Sequence, residues 1–300
     1  MTQVSGEAEL RQIAILKGRI DPILESTVEE IRFLAGRLRD PLQLLATLDG
    51  EPAGFGLAGV FPEQQEESFA YAELGVAPGF KGHGVGGALY EALSEHVRGL
   101  GKSELQLEVG EDDGGAIAFL EKRGYREIER QKALELDLGS IEPETPAIPE
   151  GVEIAPWVER PDILPRMYEL HREANADIPG LDAETTPSFD DWRAQELDRP
   201  GRRHDLSFVA FTPHEVVGSA ALMVLPAGGF HGLTAVARTW RRRGLARALK
   251  QSQIVAAKAA GLRKLYTESE ERNEPMRRLN ESLGFRPIPG MVVMRGPLAP

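Results

Sequence analysis

Hydrophobic and polar positions along the chain spell out one order of elements, and then spell it out again. Residues 1–40 carry helical spacing, with a periodic run from Ile20-Asp21-Pro22 through Leu24, Val28, Ile31 and Leu34. Leu42 to Leu48 is an apolar stretch, Asp49-Gly50 a hairpin turn, and Ala53 to Val60 the returning strand. A third strand is predicted over about Phe69 to Val76 and is broken by Pro78-Gly79. A glycine-rich turn then opens a helix that ends near Gly101, followed by a strand at Leu105 to Val109. Ala116 to Arg123 is a short helix stopped by Gly124, and Lys132 to Leu138 reads as the closing strand of this half. Gly139 to Gly151 holds three prolines and three acids without periodicity, which marks a linker.

The second half repeats the order. Helical spacing covers Leu164 to Ala176 and Phe189 to Leu197, with a loop from Ile178-Pro179-Gly180 to Pro187 between them. Strands follow at Phe208 to Phe211, Val216 to Leu225 and Gly232 to Val236. A helix runs from Gly244 to Ala260, then a strand at Lys264 to Thr267, a helix at Pro275 to Leu283 and a last strand at Met291 to Met294. The two halves align residue by residue. At an offset of 160, Val236 falls on Val76, Arg241 on Lys81, Gly244 on Gly84, Ala246 on Gly86, Gly261 on Gly101, Asn273 on Asp113, Gly284 on Gly124 and Phe285 on Tyr125. Upstream the offset is 164: Ala210 matches Ala46, Glu215 matches Glu51 and Gly218 matches Gly54, and the run Pro62 to Glu67 is where the first copy carries its extra residues. The pattern is a duplicated domain rather than a short solenoid repeat. The expected fold class is α+β, two tandem domains at 1–138 and 151–300 joined by a linker at 139–150, each a mixed, mostly antiparallel sheet flanked by helices.

Composition narrows the function. The 300 residues suit two domains, and no apolar run is long enough to span a bilayer. The polar N-terminus carries no signal-peptide core, so a cytoplasmic protein without a membrane partner is the expectation. There is no cysteine, which removes thiol nucleophiles, disulfides and cysteine metal sites, and the six histidines show no metal-ligand spacing. The net charge of −12 is unevenly shared: 14 basic residues face 25 acidic ones over 1–138, against 21 and 19 over 151–300. An acidic chain is a poor nucleic-acid binder, and the local arginines of the second half suit a small polyphosphate better than a duplex.

Those arginines lie in Thr234 to Lys250, TAVARTWRRRGLARALK. A strand ends at Val236 and a helix opens after Gly244, so the first N–H groups of the helix lack intrahelical acceptors and face the positive end of its dipole. Gly244 and Ala246 keep side chains small where a ligand must approach. Together with Arg241, Arg242, Arg243, Leu245 and Arg247 they form a candidate phosphate cradle. Taken alone, the stretch could equally be a basic helix start on a solvated face. In the first copy Gly82, His83, Gly84, Val85, Gly86 and Gly87 also satisfy the dinucleotide spacing G-x-G-x-x-G, but the other copy lacks it, which argues against that use.

The chain resembles the GNAT acetyltransferases. Their strand ending in valine, followed by Q/R-x-x-G-x-G/A at a helix start, is matched by Val236 with Arg241, Gly244 and Ala246, and by Val76 with Lys81, Gly84 and Gly86. Their second motif, N-x-x-A-x-x-F-Y-E-K-x-G-F, is approximated by Asn273, Met276, Leu279, Glu281, Gly284 and Phe285, and by Ala116, Phe119, Glu121, Lys122, Gly124 and Tyr125. The tandem arrangement is similar to the subgroup that includes mycothiol synthases. The resemblance implies acetyl-CoA as cosubstrate without a metal, its pyrophosphate on the N–H groups of 242–247 and its pantetheine arm along Thr234, Ala235 and Val236. The Val236 N–H would then polarise the thioester carbonyl, a contact whose removal in comparable sites costs about 3 kcal/mol. The implied activity is an N-acetyltransferase acting on a primary amine of a small molecule or peptide, in a monomer or homodimer. Mycothiol-synthase-like acetylation of an aminosugar conjugate, or a non-catalytic acyl-CoA-binding regulator, are the alternatives. Without cysteine, direct attack by the amine is the simplest route.

The first copy departs from the pattern at Lys81 and Asp113, which favours the second domain as the catalytic one. The helix tyrosine expected to protonate the leaving thiolate is Leu120 in one copy and Asn280 in the other. Candidate bases are Glu268 and His231, with Glu73 and Glu108 in the first copy, each of which a solvated or paired side chain would also explain. Thr234, where the first copy has Leu74, could bond substrate or simply suit a strand. Asp177, Asp182, Glu184, Asp190, Asp191 and Trp192 could wall a cationic acceptor site, while Ser188, Asp190 and Asp191 are equally good helix caps.

Overall fold

A computed structural model describes residues 1–23, 25–62, 67–177 and 187–300. In chain order the elements are β1 (Thr2–Gln3), α1 (Glu7–Ile20), α2 (Val28–Arg37), β2 (Arg39–Leu48), β3 (Glu51–Val60), β4 (Phe69–Val76), α3 (Val85–Gly99), β5 (Glu104–Gly110), α4 (Gly114–Glu121) and β6 (Arg126–Asp137). They continue with β7 (Glu153–Pro156), α5 (Leu164–Asn175), α6 (Phe189–Glu196), β8 (Phe208–Phe211), β9 (Val216–Leu225), β10 (Gly228–Val236), α7 (Leu245–Ala259), β11 (Lys264–Glu270), α8 (Glu274–Ser282) and β12 (Arg286–Pro297).

The periodic run from Ile20 to Leu34 is two helices rather than one. α1 ends at Ile20, because a residue before proline resists the helical conformation and Asp21 precedes Pro22. A new helix starts at a capping box: the Glu30 N–H donates to Thr27 Oγ1 at 3.2 Å, and the Thr27 N–H to Glu30 Oε2 at 3.4 Å. Leu24 lies outside the described residues.

Two compact units emerge, and their borders differ from the expected 139–150 linker: one is Met1–Gln131 with Pro289–Pro300, the other Lys132–Ile288. The closing strands are therefore exchanged between the copies. In the first unit the strands run β1-β2-β3-β4-β5-β12, and Met291 to Pro297 pair antiparallel with Gly110 to Glu104. In the second unit the order is β6-β11-β10-β9-β8-β7, with Lys132–Asp137 as its part of β6. β pairing depends on register and exposed backbone rather than on chain proximity, so either copy's last strand can fill either edge. The stretch expected as a linker packs on the second unit: Lys258 Nζ donates to the Ile141 carbonyl at 2.5 Å and Gln251 Nε2 to Glu144 Oε2 at 2.9 Å.

Each unit buries one helix against its sheet. In the first, Val85, Leu89, Leu93 and Val97 of α3 pack on Ala53, Ala58, Ala70 and Ala72, joined by Val292 and Met294 of β12. α1 and α2 cover the opposite face through Leu10, Ile13, Leu16 and Ile31 against Leu45 and Phe55. In the second, Leu245 and Leu249 of α7 pack on Ala210, Val217 and Ala220, and Ile254 and Ala257 on Leu265 and Leu134. Trp157, Met167, Leu170 and Trp192 cover the other face. Among the described residues, no helix is long and apolar enough to cross a membrane.

Candidate functional site

Each unit contains a fork between two parallel strands. In the second, β10 and β11 pair only over Gly229–Leu265, Phe230–Tyr266 and His231–Thr267, then separate. In the first, β4 and β5 pair over Phe69–Glu104, Ala70–Leu105 and Tyr71–Gln106 before parting. β10 is bulged at the fork: His231 pairs with Leu222 and Thr234 with Ala220, so Gly232 and Leu233 together oppose Ala221. A bulge leaves backbone unpaired and re-aims the residues after it. β4 has no counterpart, since its register with β3 runs unbroken from Gly54–Val76 to Gly59–Tyr71.

The strand ends beyond the fork present free backbone in both units. The Ala237 N–H donates to the Val217 carbonyl at 3.0 Å, so alternation along an antiparallel strand turns the Val236 and Thr234 N–H groups away from β9 and into the fork. Ala77 to Ala53, at 2.9 Å, sets Val76 the same way in the first unit. Val236 packs on the α7 side with Leu245 and Leu249, while Ala235 packs on the Trp157 side. Thr234 therefore shares the α7 side, and its Oγ1 is buried without a protein partner.

At the helix mouth the backbone curls into a nest. Gly82 and Gly84 have φ of 85° and 84°, and Arg242 and Gly244 have φ of 64° and 83°. Alternating left-handed residues turn successive N–H groups towards one point, which makes an anion-binding concavity. Arg242 holds this conformation as a non-glycine, at a cost of about 1–2 kcal/mol, where the first copy uses glycine. The first helical bond runs from the Ala248 N–H to the Gly244 carbonyl, and Ala88 to Gly84 repeats it, so the N–H groups before them have no helical acceptor. Residues 81–84 and 241–244 are exposed, whereas Val85 and Leu245 are core side chains that contribute only backbone to the mouth.

Several of the basic side chains expected around the nest are engaged. Arg241 Nη2 contacts Asp177 Oδ2 at 2.6 Å, and Arg238 grips the same carboxylate at 2.6 and 2.9 Å. These two guanidiniums hold Asp177 well below the usual carboxylate range. Asp177 is therefore a partner of the phosphate-side arginines rather than a free acid for a cationic acceptor. Arg243 lies over the Trp240 ring at 4.8 Å, Arg247 donates to Ser282 Oγ at 2.5 Å, and Lys81 pairs with Asp113 at 2.8 Å. His83 Nδ1 sits 3.1 Å from the Lys81 carbonyl. The small side chains of Gly86 and Ala246 stay half-buried beside the mouth, with Gly87 behind. Asn273 and Asp113 serve as N-caps, accepting from the Met276 N–H at 3.4 Å and the Ala116 N–H at 2.9 Å.

The remaining candidates separate. Glu268 and Glu108 are exposed on their strands. Glu73 is taken up by Lys17 at 2.9 Å and Tyr71 at 3.0 Å. Trp192 is core rather than acceptor wall: it is buried, and its indole N–H donates to His171 Nδ1 at 2.8 Å. Ser188 caps α6 by accepting from the Asp191 N–H at 3.1 Å, with Asp190 and Asp191 in the first turn. Asp182 and Glu184 lie outside the described residues.

His231 is buried at the fork, its Nδ1 2.7 Å from Gln253 Oε1 of α7. With the Gln253 oxygen as acceptor, Nδ1 carries the proton and Nε2, which has no protein partner, is a bare lone pair. Burial and the neighbouring Lys250 push this imidazole well below its ordinary pKa, so it is neutral. Asn280 is fully buried on α8 with neither amide atom partnered in the protein. Lys250 and Gln253 escaped the sequence reading because a lysine and a glutamine in a helix read as solvent-facing. The available signal was the repeat itself, which aligns them with the apolar Tyr90 and Leu93. Among the described residues no group of His, Asp and Glu has the arrangement of a metal site.

The family model described as the acetyltransferase (GNAT) family matches residues 14–125 and again 164–285. Among solved structures, a tandem GNAT protein from the clavulanic acid biosynthesis pathway is 21% identical, covering 100% of this chain and 98% of its own, with a TM-score of 0.80. A GCN5-related N-acetyltransferase from Sphaerobacter thermophilus is 21% identical over 100% of this chain and 96% of its own, with a TM-score of 0.75. No curated protein matches the sequence. Two family matches, each spanning one nest and one fork, place the chain in the GNAT acetyltransferase family as a tandem-domain member.

Proposed function

We propose that the second unit is an acetyl-CoA-dependent N-acetyltransferase acting on a primary amine of a small molecule or peptide, and that the first unit does not turn over. The observation that carries the choice is the bulged fork of β10, which the first copy lacks. In this reading the diphosphate of acetyl-CoA sits on the 242–247 nest and its pantetheine arm lies along Thr234 to Val236. The inward N–H of Val236 donates to the thioester oxygen as charge develops there, the kind of preorganised donor worth about 3 kcal/mol. The amine nitrogen attacks the carbonyl carbon, the C–S bond breaks, and the nitrogen sheds a proton to solvent or to a nearby base.

The test is acetyl-CoA consumption over a panel of amines by the wild type and by Gly244→Glu and Gly84→Glu. Both glycines have the same left-handed φ, so backbone strain is matched between the two variants. Loss of turnover in Gly244→Glu with turnover retained in Gly84→Glu is the expected result. The opposite pattern, or CoA binding by the wild type without turnover on any amine, sinks the reading.

A further inference from the structure

The helix-facing side of the fork differs between the copies in one respect: what is apolar in the first is polar in the second. At an offset of 160, Leu74, Tyr90, Leu93, Val109 and Leu120 become Thr234, Lys250, Gln253, Ser269 and Asn280. In the first unit all five belong to or pack against the α3 core, and Tyr90 makes edge contacts with Phe119 and Tyr125. In the second unit Thr234 Oγ1, Gln253 Nε2, Ser269 Oγ and both amide atoms of Asn280 are buried without a protein partner, as is His231 Nε2. Leu265 faces α7, so Thr267 and Ser269 share that side of β11. Lys250 lies one turn before Gln253 on α7 and is 1% exposed. Among the described residues no carboxylate forms an ion pair with it. Leaving these polar atoms buried without partners, with a lysine buried among them, is costly, and an apolar core of the first copy's kind would be cheaper. Chemistry at the fork accounts for keeping them.

We propose that Lys250 is the proton donor of the second unit, protonating the CoA thiolate as it departs. This rests on the acetyl-transfer reading above. The amine lone pair forms the C–N bond, the C–S pair leaves on sulfur, and sulfur takes a proton from Nζ, which becomes a neutral amine. The proton shed by the substrate nitrogen goes to water, and Lys250 regains one from solvent before the next turnover. Burial lowers the Lys250 pKa to about 7, which brings the ammonium within reach of a thiol near 8.5. The titratable group acting across from it is His231 of β10, held neutral beside Gln253. The other charged groups around α7 are otherwise engaged: Arg247 with Ser282, Lys258 with Glu142, Glu144 with Gln251, and Glu270 with Arg272.

The test uses the full chain as wild type, Lys250→Met, Lys250→Gln and Lys250→Arg. Tryptophan fluorescence checks the second unit's fold, and Lys250→Gln stands in if Lys250→Met does not fold. Ultraviolet thiolate absorbance of bound CoA, titrated with pH, is expected to rise about one pH unit lower in Lys250→Arg, whose cation persists while the thiol ionises, than in the Met and Gln variants. Identical titrations overturn the assignment, whether or not an amine substrate is known. With acetyl-CoA and an amine, kcat is expected to fall about 10²-fold in Lys250→Met while CoA affinity stays within threefold. The basic limb of the wild-type pH profile disappears with it, and Lys250→Arg moves that limb upward. A kcat within fivefold of wild type, or a wild-type profile falling towards acid instead, also overturns it. A thiol titration shifted in Lys250→Arg, beside a wild type that acetylates no amine, refutes the acetyl-transfer reading and leaves position 250 next to the sulfur.

Discussion

Cutting into the last strand should unfold the first half of the protein and spare the second. Met294 belongs by sequence to the second copy, yet it is 2% exposed in the first unit's core, beside Val292, Leu107 and Leu120. Met294→Ala removes a buried side chain from a packed site, which costs about 2–5 kcal/mol. At roughly 3 °C per kcal/mol for a unit of this size, its melting transition should drop by about 10 °C. Ending the chain after Ile288 removes far more. Val292, Val293 and Met294 go at about 1.5–3 kcal/mol each, together with the whole Met291 to Pro297 ladder. The Tyr90 hydroxyl also loses the Pro297 carbonyl at 2.8 Å, and Ser94 Oγ the Ala299 N–H at 3.0 Å. That sum rivals the about 5–15 kcal/mol that holds a whole domain folded. The assay is built into the composition, since all three tryptophans, Trp157, Trp192 and Trp240, lie in the second unit. Tryptophan fluorescence reports that unit alone, and amide exchange in β3 reports the other. The expected outcome is accelerated exchange over residues 51–60 with an unmoved tryptophan transition. A tryptophan midpoint that falls with Met294→Ala while β3 stays protected refutes the strand exchange.

The second unit's buried and paired groups carry further expectations. His171 is fully buried and pushed down to about 4 by desolvation, and its Nδ1 accepts from Trp192. Its folded pKa is below the unfolded value near 6.5, so its contribution is whole above 6.5 and is lost as pH falls towards 4, at about 1.4 kcal/mol per pH unit. The tryptophan-monitored unfolding midpoint should drop across that window, and a flat midpoint would contradict the burial. Asp177→Asn should release Arg238 and Arg241 beside the nest and tighten CoA binding about threefold at low salt, an effect that calorimetry should see vanish at high salt. Weaker binding would mean that Asp177 positions those arginines instead of competing for them. Arg242→Gly should relieve about 1 kcal/mol of backbone strain yet weaken CoA binding, so a variant with a higher melting temperature and unchanged affinity would show the arginine to be idle there.

Local chemistry was legible in the residues themselves. The element order, the duplication and the helix mouths at Gly84 and Gly244 depend on short-range backbone preferences, and the fold repeats them nearly residue for residue. The break between α1 and α2 was equally local, written in Asp21-Pro22 and in Thr27 and Glu30, although the periodic run from Ile20 hid it. Tertiary structure alone decided three things. It chose which sheet edge receives residues 132–137 and 289–297, because strand pairing is satisfied by any backbone in register. It turned Trp192 inward and tied Asp177 to two arginines, because contacts between distant elements leave no trace in spacing. And it buried Lys250, Gln253 and Asn280 on one side of the fork, where the cost of desolvating a side chain depends on what packs over it and not on its place along the helix.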